Sequence, residues 1–239
     1  LGALYRKRCL KKGFNIWDLK VLQLKTFEDG VNPIKAPVEK PTIVVIKPEF
    51  SAIVLGSTQF SDAWSFSGIP IVKRNTGGSA VFIKKAQFGW VELYIPFALA
   101  AGLKPKETFL KVGTAFKNAF GNLGLKNISI YHKQEIFNGI AKVLCFASRA
   151  KGEVVESSNE KKILGLSQRR TREFIKIQSG FMNVYDPEFH VDLYKFLSKE
   201  PIVSKIVEFE ITEMAQPIML DAFEVGQELK KTLFETLGF

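Results

Sequence analysis

The sequence predicts an α+β fold, a single domain in which a mixed, largely antiparallel β-sheet is flanked by helices. Three observations carry the prediction. Short β-branched and aromatic runs bounded by Gly and Pro recur between residues 42 and 177, which is the pattern of strands separated by turns. Apolar residues at three- and four-residue spacing appear over residues 106–123, around 189–197, and at Leu229, Leu233 and Leu237, which is the period of helices that bury one face. Strands dominate the front and middle of the chain and two helical patterns close it, an order that favours α+β.

Taken in order, residues 1–40 form a basic N-terminal segment and residues 41–239 the predicted domain. The segment carries Arg6, Lys7, Arg8, Lys11 and Lys12 with no acid before Asp18. No apolar run follows these charges, so a secretory leader is not expected, while a transit peptide stays open. Residues 42–46 and 52–55 read as strand, turn, strand around Pro48. Ile71 and Val72 then enter a loop with paired glycines, Gly77 and Gly78. Residues 80–83 and 90–95 are strand-like and spaced to pair as a hairpin. Phe109, Val112, Phe116, Phe120 and Leu123 form the buried stripe of a helix, with Lys111 and Lys117 off it. Strand patterning returns at 128–131, 143–147, 153–156, 163–167 and 174–177. No repeat, heptad array or low-complexity linker interrupts the chain.

Composition narrows the chemistry. The longest apolar stretch, residues 94–103, contains a proline and is far short of the ~20 residues that cross a bilayer, so no membrane association is expected. Two cysteines, Cys9 and Cys145, are too few for a disulfide framework in 239 residues, which suits a reducing cytoplasm. Two histidines, His132 and His190, exclude a multi-histidine metal site, and with it any triad built on another histidine. No metal ligand set is therefore assigned. The net charge of +10 fits a nucleic acid, an acidic protein or an anionic substrate. No zinc finger or RNA-recognition signature accompanies it, so a nucleic-acid partner is not expected.

Two segments can carry chemistry. In Arg74-Asn75-Thr76-Gly77-Gly78-Ser79 the backbone N–H groups lie between strands, and the glycines let the chain approach a phosphate or carboxylate without a Cβ in the way. Arg74 adds a planar fork suited to either anion. A turn between strands would look the same, and no Gly-Lys-Ser/Thr follows to make a P-loop. The second segment is Lys162-Ile163-Leu164-Gly165-Leu166-Ser167, where a lysine opens a strand and a glycine leaves room beside it. Alone, Lys161 and Lys162 read equally as a solvated hairpin tip.

Together the segments resemble a family. Arg74-Asn75-Thr76-Gly77-Gly78-Ser79-Ala80-Val81 is similar to the Arg-x-Ser/Thr-Gly-Gly-x-Ala-Val loop of lipoate-protein ligases and octanoyltransferases, in the biotin/lipoate protein ligase superfamily. Lys162-Ile163-Leu164-Gly165 is similar to their Lys-Ile/Val-x-Gly strand, and Leu55-Gly56-Ser57-Thr58-Gln59 to their upstream Leu-Gly-x-x-Gln. The resemblance covers roughly residues 43–180. It implies a class II biotin/lipoate ligase-like domain that joins lipoate or octanoate to a lysine of a lipoyl carrier domain or a glycine-cleavage H-type protein. Lys162 would contact the acyl carboxyl or the phosphate of an acyl-adenylate. Arg74, Thr76, Gly77, Gly78, Ser79, Ala80, Gly165 and Ser167 would hold the substrate. A ligase would use ATP and Mg²⁺.

The sequence departs from that pattern. Phe82-Ile83-Lys84-Lys85 stands where many members have His-Asp, and Cys145-Phe146 where ligases have Asn-Asp. One octanoyltransferase branch carries the acyl group on a Cys-Phe at a similar place. A second reading therefore makes Cys145 the nucleophile of a transferase that takes octanoate from acyl carrier protein and needs no cofactor. A lone cysteine between apolar residues also reads as core. A third reading is a non-catalytic acyl-binding module. Lipoate, octanoate and biotin are not distinguished by these motifs.

Overall fold

A computed structural model of the chain describes residues 17–24, 39–100, 102–133 and 139–238. Cys9 and the basic cluster at 6–12 lie outside them. The strands are β1 (Asp18–Leu24), β2 (Thr42–Pro48), β3 (Ala52–Leu55), β4 (Ser65–Phe66), β5 (Ile69–Lys73), β6 (Val81–Ile83), β7 (Phe88–Pro96), β8 (Ile128–Ile130), β9 (Val154–Glu156), β10 (Lys162–Arg170) and β11 (Phe174–Met182). The helices are α1 (Phe97–Ala100), α2 (Pro105–Asn122), α3 (Gly139–Val143), α4 (Pro187–Ser198), α5 (Lys205–Thr212) and α6 (Ala222–Leu237).

A seven-stranded sheet runs β1-β2-β7-β11-β10-β9-β8, parallel only between β1 and β2. The sheet is mixed and largely antiparallel, as the sequence predicts. A four-stranded sheet, β4-β5-β3-β6, packs on one of its faces. Strand alternation explains how both faces are covered. On β7, Val91, Leu93 and Ile95 join a core with Phe116 and Phe120 of α2 and Leu229 and Leu233 of α6. Trp90 and Tyr94 join a second core with β3, β6, α4 and α5. Every residue of β7 is buried, so burial on both faces flattens the polar-apolar alternation that usually marks a strand.

Helix ends follow local rules. Pro105 opens α2 and Pro187 opens α4, where a missing N–H is no loss. The Asp186, Ser204 and Asp221 side chains accept from the first free N–H groups of α4, α5 and α6.

Two local expectations are corrected. The runs at 80–83 and 90–95 do not form a hairpin: β6 pairs with β3, and β7 lies in the other sheet between β2 and β11. The run at 143–147 is not a strand but the end of α3 and a 3-10 turn over Cys145–Ala147. Leu144 and Phe146 are buried, and a short apolar run carries no period that separates a strand from a buried turn. The structure also adds β1, which lies within residues 1–40, and α5. Among the described residues no helix is long and apolar enough to cross a membrane.

Candidate active site

A narrow cleft lies between β10, β11 and β7 below and β3, β6 and the Cys145 turn above. Its floor follows from register. Gly165 of β10 sits opposite Gly180 of β11, and Gly180 opposite Trp90 of β7, so two glycines and a tryptophan lie in one row across the sheet. Val54, Val81, Ile83, Phe88, Phe146 and Leu166 supply carbon walls, and the polar lining comes from Arg74, Cys145, Ser167, Gln178 and Ser179. A largely apolar cleft with a few polar groups suits an amphipathic acid.

Of the loop predicted to meet a ligand, Arg74 lines the cleft. Ser57 N donates to Thr76 O, and the Gln59 side chain accepts from Gly56 N and donates to the carbonyls of Lys142 and Val143. The Leu-Gly-x-x-Gln element thereby ties the glycine loop to the segment before Cys145. Ala80 N donates to Val143 O and Cys145 N to Ala80 O. No described group accepts from the backbone N–H of Gly77, Gly78 or Ser79, and Gly78 takes φ +97°. The two glycines are exposed. Unpaired N–H groups at a bend can bind an anion.

Arg74 is 6% exposed, and its guanidinium donates to the carbonyls of Val54, Gly77 and Ser79 at 2.9–3.2 Å. The fork therefore shapes the loop rather than standing open. Nε has no partner, and no carboxylate pairs with the group. Burial pushes the guanidinium below its ordinary value, and an arginine stays charged in any event. A buried cation that lines the cleft with no carboxylate paired to it among the described residues favours a negative ligand.

Lys162 is fully buried. Nζ lies 2.8 Å from Glu153 Oε2, 3.0 Å from Cys145 O, 3.1 Å from Ser148 O and 3.9 Å from Cys145 Sγ. Glu153 is fixed in turn by Ala150 N and Leu166 N. Strict alternation would put Lys162 and Gly165 on opposite faces. An irregularity between Lys162 and Leu164 in the β9 pairing shifts the register, the work of a bulge. A Cβ at Gly165 would lie 3.3 Å from Lys162 Cε, 3.7 Å from Nζ and 3.8 Å from Cys145 Sγ. The missing side chain keeps open the space where lysine, thiol and cleft meet.

The remaining candidates join a buried polar chain. Ser167 donates to Thr76 at 3.0 Å, Thr76 to Gln178 Oε1, and Gln178 to Glu92, whose other oxygen accepts from Tyr94 at 2.6 Å and pairs with Lys176 at 3.2 Å. Burial raises the Glu92 carboxyl and lowers the Lys176 ammonium, each opposed by the other's charge. Ser79 Oγ donates to Ala141 O. The structure thus brings Arg74, Cys145, Gly165 and Ser167 to the cleft wall, with Thr76, Ser79 and Lys162 behind it, while Gly77, Gly78 and Ala80 do not line it. Sequence reasoning missed Glu153 and Gln178, each a lone polar residue whose partner lies on another strand.

Neither histidine reaches the cleft. His132 is exposed, and His190 is 3% exposed with Nδ1 2.6 Å from Asp186 O. Burial lowers the His190 pKa from 6.5. The unfolded chain then takes up a proton that the folded one refuses, so stability is full above 6.5 and falls as pH drops through the lowered value. His190→Asn should flatten that acid limb in urea unfolding measured between about pH 7.5 and about pH 5; an unchanged slope would assign it elsewhere.

The two sheets, the glycine loop and the lysine strand define a fold shared with lipoate-protein ligases. A bipartite lipoate-protein ligase from Thermoplasma acidophilum superposes with TM-score 0.67 and 15% identity over 92% of this chain and 83% of that one. A lipoate-protein ligase A bound with ATP gives 0.64 and 16%, covering 92% and 85%, and a T. acidophilum protein with bound lipoic acid gives 0.62 and 16%, with the same coverage. No protein-family model matches the chain, and no curated protein sequence matches it significantly.

Proposed function

We propose that this protein joins lipoate or octanoate to a lysine of a lipoyl carrier domain, as a lipoate-protein ligase acting through an acyl-adenylate. One observation carries the reading: a carbon-lined cleft is bordered by a buried arginine with no carboxylate paired to it among the described residues, and by a thiol with a lysine behind it. The cleft takes the acyl chain and the cationic end its carboxylate. Solved structures of the same fold hold ATP in one case and lipoic acid in another, and one was determined with an E2 lipoyl domain. A glycine-cleavage H-type protein offers the same kind of acceptor lysine.

The donor set fits a phosphate as well as a carboxylate, so Gly77, Gly78, Ser79 and Arg74 are the residues that would hold the nucleotide's phosphate. ATP, when bound, supplies the adenylate leaving group that makes the acyl carbon reactive. Among the described residues no three His, Cys, Asp or Glu side chains gather as a metal site, so Mg²⁺ would ride chiefly on phosphate oxygens. The protein's own part is to fix the carboxyl, exclude water, and steady the negative charge on the acyl oxygen with Lys162 and the loop N–H groups as the acceptor amine attacks.

A second reading has support of its own, since Cys145 lines the cleft with Sγ 3.9 Å from Lys162 Nζ. Sγ would attack the thioester of octanoyl acyl carrier protein and release the carrier's thiol; the acceptor amine would then attack the acyl-enzyme and restore the Cys145 thiol. Intact mass after mixing with octanoyl acyl carrier protein, without ATP, separates the two. The ligase reading expects no adduct, and a Cys145→Ser enzyme that keeps ATP-dependent transfer within about tenfold. An octanoyl adduct lost in Cys145→Ser would instead establish the transferase.

A further inference from the structure

We infer that the Phe88 ring is the end wall of the acyl cleft and sets the length of chain the protein accepts. The inference rests on the acyl-transfer reading and specifies its substrate. Phe88 lines the acyl cleft and also a separate small void, with room for about one water, which is bounded by Phe82, Met182, Val184 and His190. Phe88 therefore borders both spaces.

The geometry of the floor puts the ring at the far end. The polar head lies at β10, where Gly165, Lys162 and Cys145 meet. Gly165, Gly180 and Trp90 are in register across β10, β11 and β7. A chain laid along this row crosses two strand spacings, roughly 10 Å, before it reaches β7. There Phe88 leans onto Gly180: a Cβ at Gly180 would fall 2.4 Å from Phe88 Cζ and 2.7 Å from Cε1. The absence of a side chain at 180 is what lets the ring seat, and a seated ring stops the chain.

Opposite changes should move the limit in opposite directions. Phe88→Ala removes the ring and joins the cleft to the small void. Gly180→Ala forces the ring off its seat and into the cleft, shortening it. Phe88→Leu keeps most of the packing and retracts the wall partway, so it decides the question should the alanine variant not fold.

The experiment is calorimetric binding of hexanoate, octanoate, decanoate and dodecanoate to the intact protein and these variants, each checked for folding by circular dichroism. The wild type should prefer an acid of intermediate length. Phe88→Ala, or Phe88→Leu in its place, should shift the ranking to longer acids, with each newly accommodated methylene worth about fourfold in affinity. Gly180→Ala should shift it to shorter ones. A folded Phe88 variant with the wild-type ranking, or a Gly180→Ala protein that still prefers the wild-type length, would overturn the inference. Failure of every acid to bind the wild type would instead overturn the acyl-binding reading.

Discussion

Lys162→Met is expected to lower transfer to a carrier lysine by at least about 10²- to 10³-fold, the usual consequence of removing a donor aimed at developing negative charge. The substitution also has a structural effect. Lys162 and Glu153 are 1% and 2% exposed, and stranding one member of such a pair costs about 3–5 kcal/mol. Lost activity alone would therefore be ambiguous. Lys162→Met combined with Glu153→Gln removes both charges at nearly constant volume and should recover most of the melting temperature while leaving transfer abolished. Recovery of activity together with stability would show that Lys162 serves only to neutralise Glu153. Full activity in the single variant would remove Lys162 from the chemistry.

Gly56→Ala should produce the second large loss. A Cβ at Gly56 would lie 1.6 Å from Gly78 O and 2.7 Å from Gly78 C, and these are backbone atoms of the loop, so the loop itself has to move. Gly78 is held from the other side by Arg74, whose Nη2 would be 2.9 Å from a Cβ there. The expected result is a rise in KM for the acid of more than about tenfold and a stability loss of about 1–3 kcal/mol from overpacking. Gly77→Ala is the control. Nothing lies within 4 Å of its Cβ position, so its melting temperature should stay within a degree or two, and any fall in affinity reports a ligand pressed against that bend. A Gly56→Ala protein with wild-type KM would separate the loop from substrate binding.

Most of the fold is legible in the sequence because β2, β3, β5, β9 and β11 are β-branched runs and α2 carries an unbroken apolar stripe. β1 escapes notice because Asp18–Leu24 mixes polar and apolar residues at an edge where only Leu24 is fully covered. α5 escapes because Ile206, Val207, Phe209 and Ile211 have strand-like composition, although Ser204, which caps it, is a signal that was available. The segment around Cys145 reads as a strand for the same reason, its apolar run ending a helix and forming a 3-10 turn. In the site, the glycine loop and Lys162 could be found as local motifs. Glu153 and Gln178 could not, since what makes them matter is a partner 9 residues away across a bulged strand pair in one case and a Thr76 contact 102 residues away in the other. Phe88 is one phenylalanine among 21 until Gly180 is seen beneath it.

The net charge of +10 is compatible with an acidic acceptor domain, and long-range attraction of that kind speeds association and weakens with salt.

The most direct measurement is the intact mass of a lipoyl carrier domain after incubation with the protein, lipoate, ATP and Mg²⁺. The ligase reading predicts a lipoyl increment on a single lysine, absent without ATP and absent with Lys162→Met. A carrier domain whose mass never changes, with either lipoate and ATP or octanoyl acyl carrier protein, beside a protein that still binds the acid, would contradict catalysis and leave an acyl-binding module.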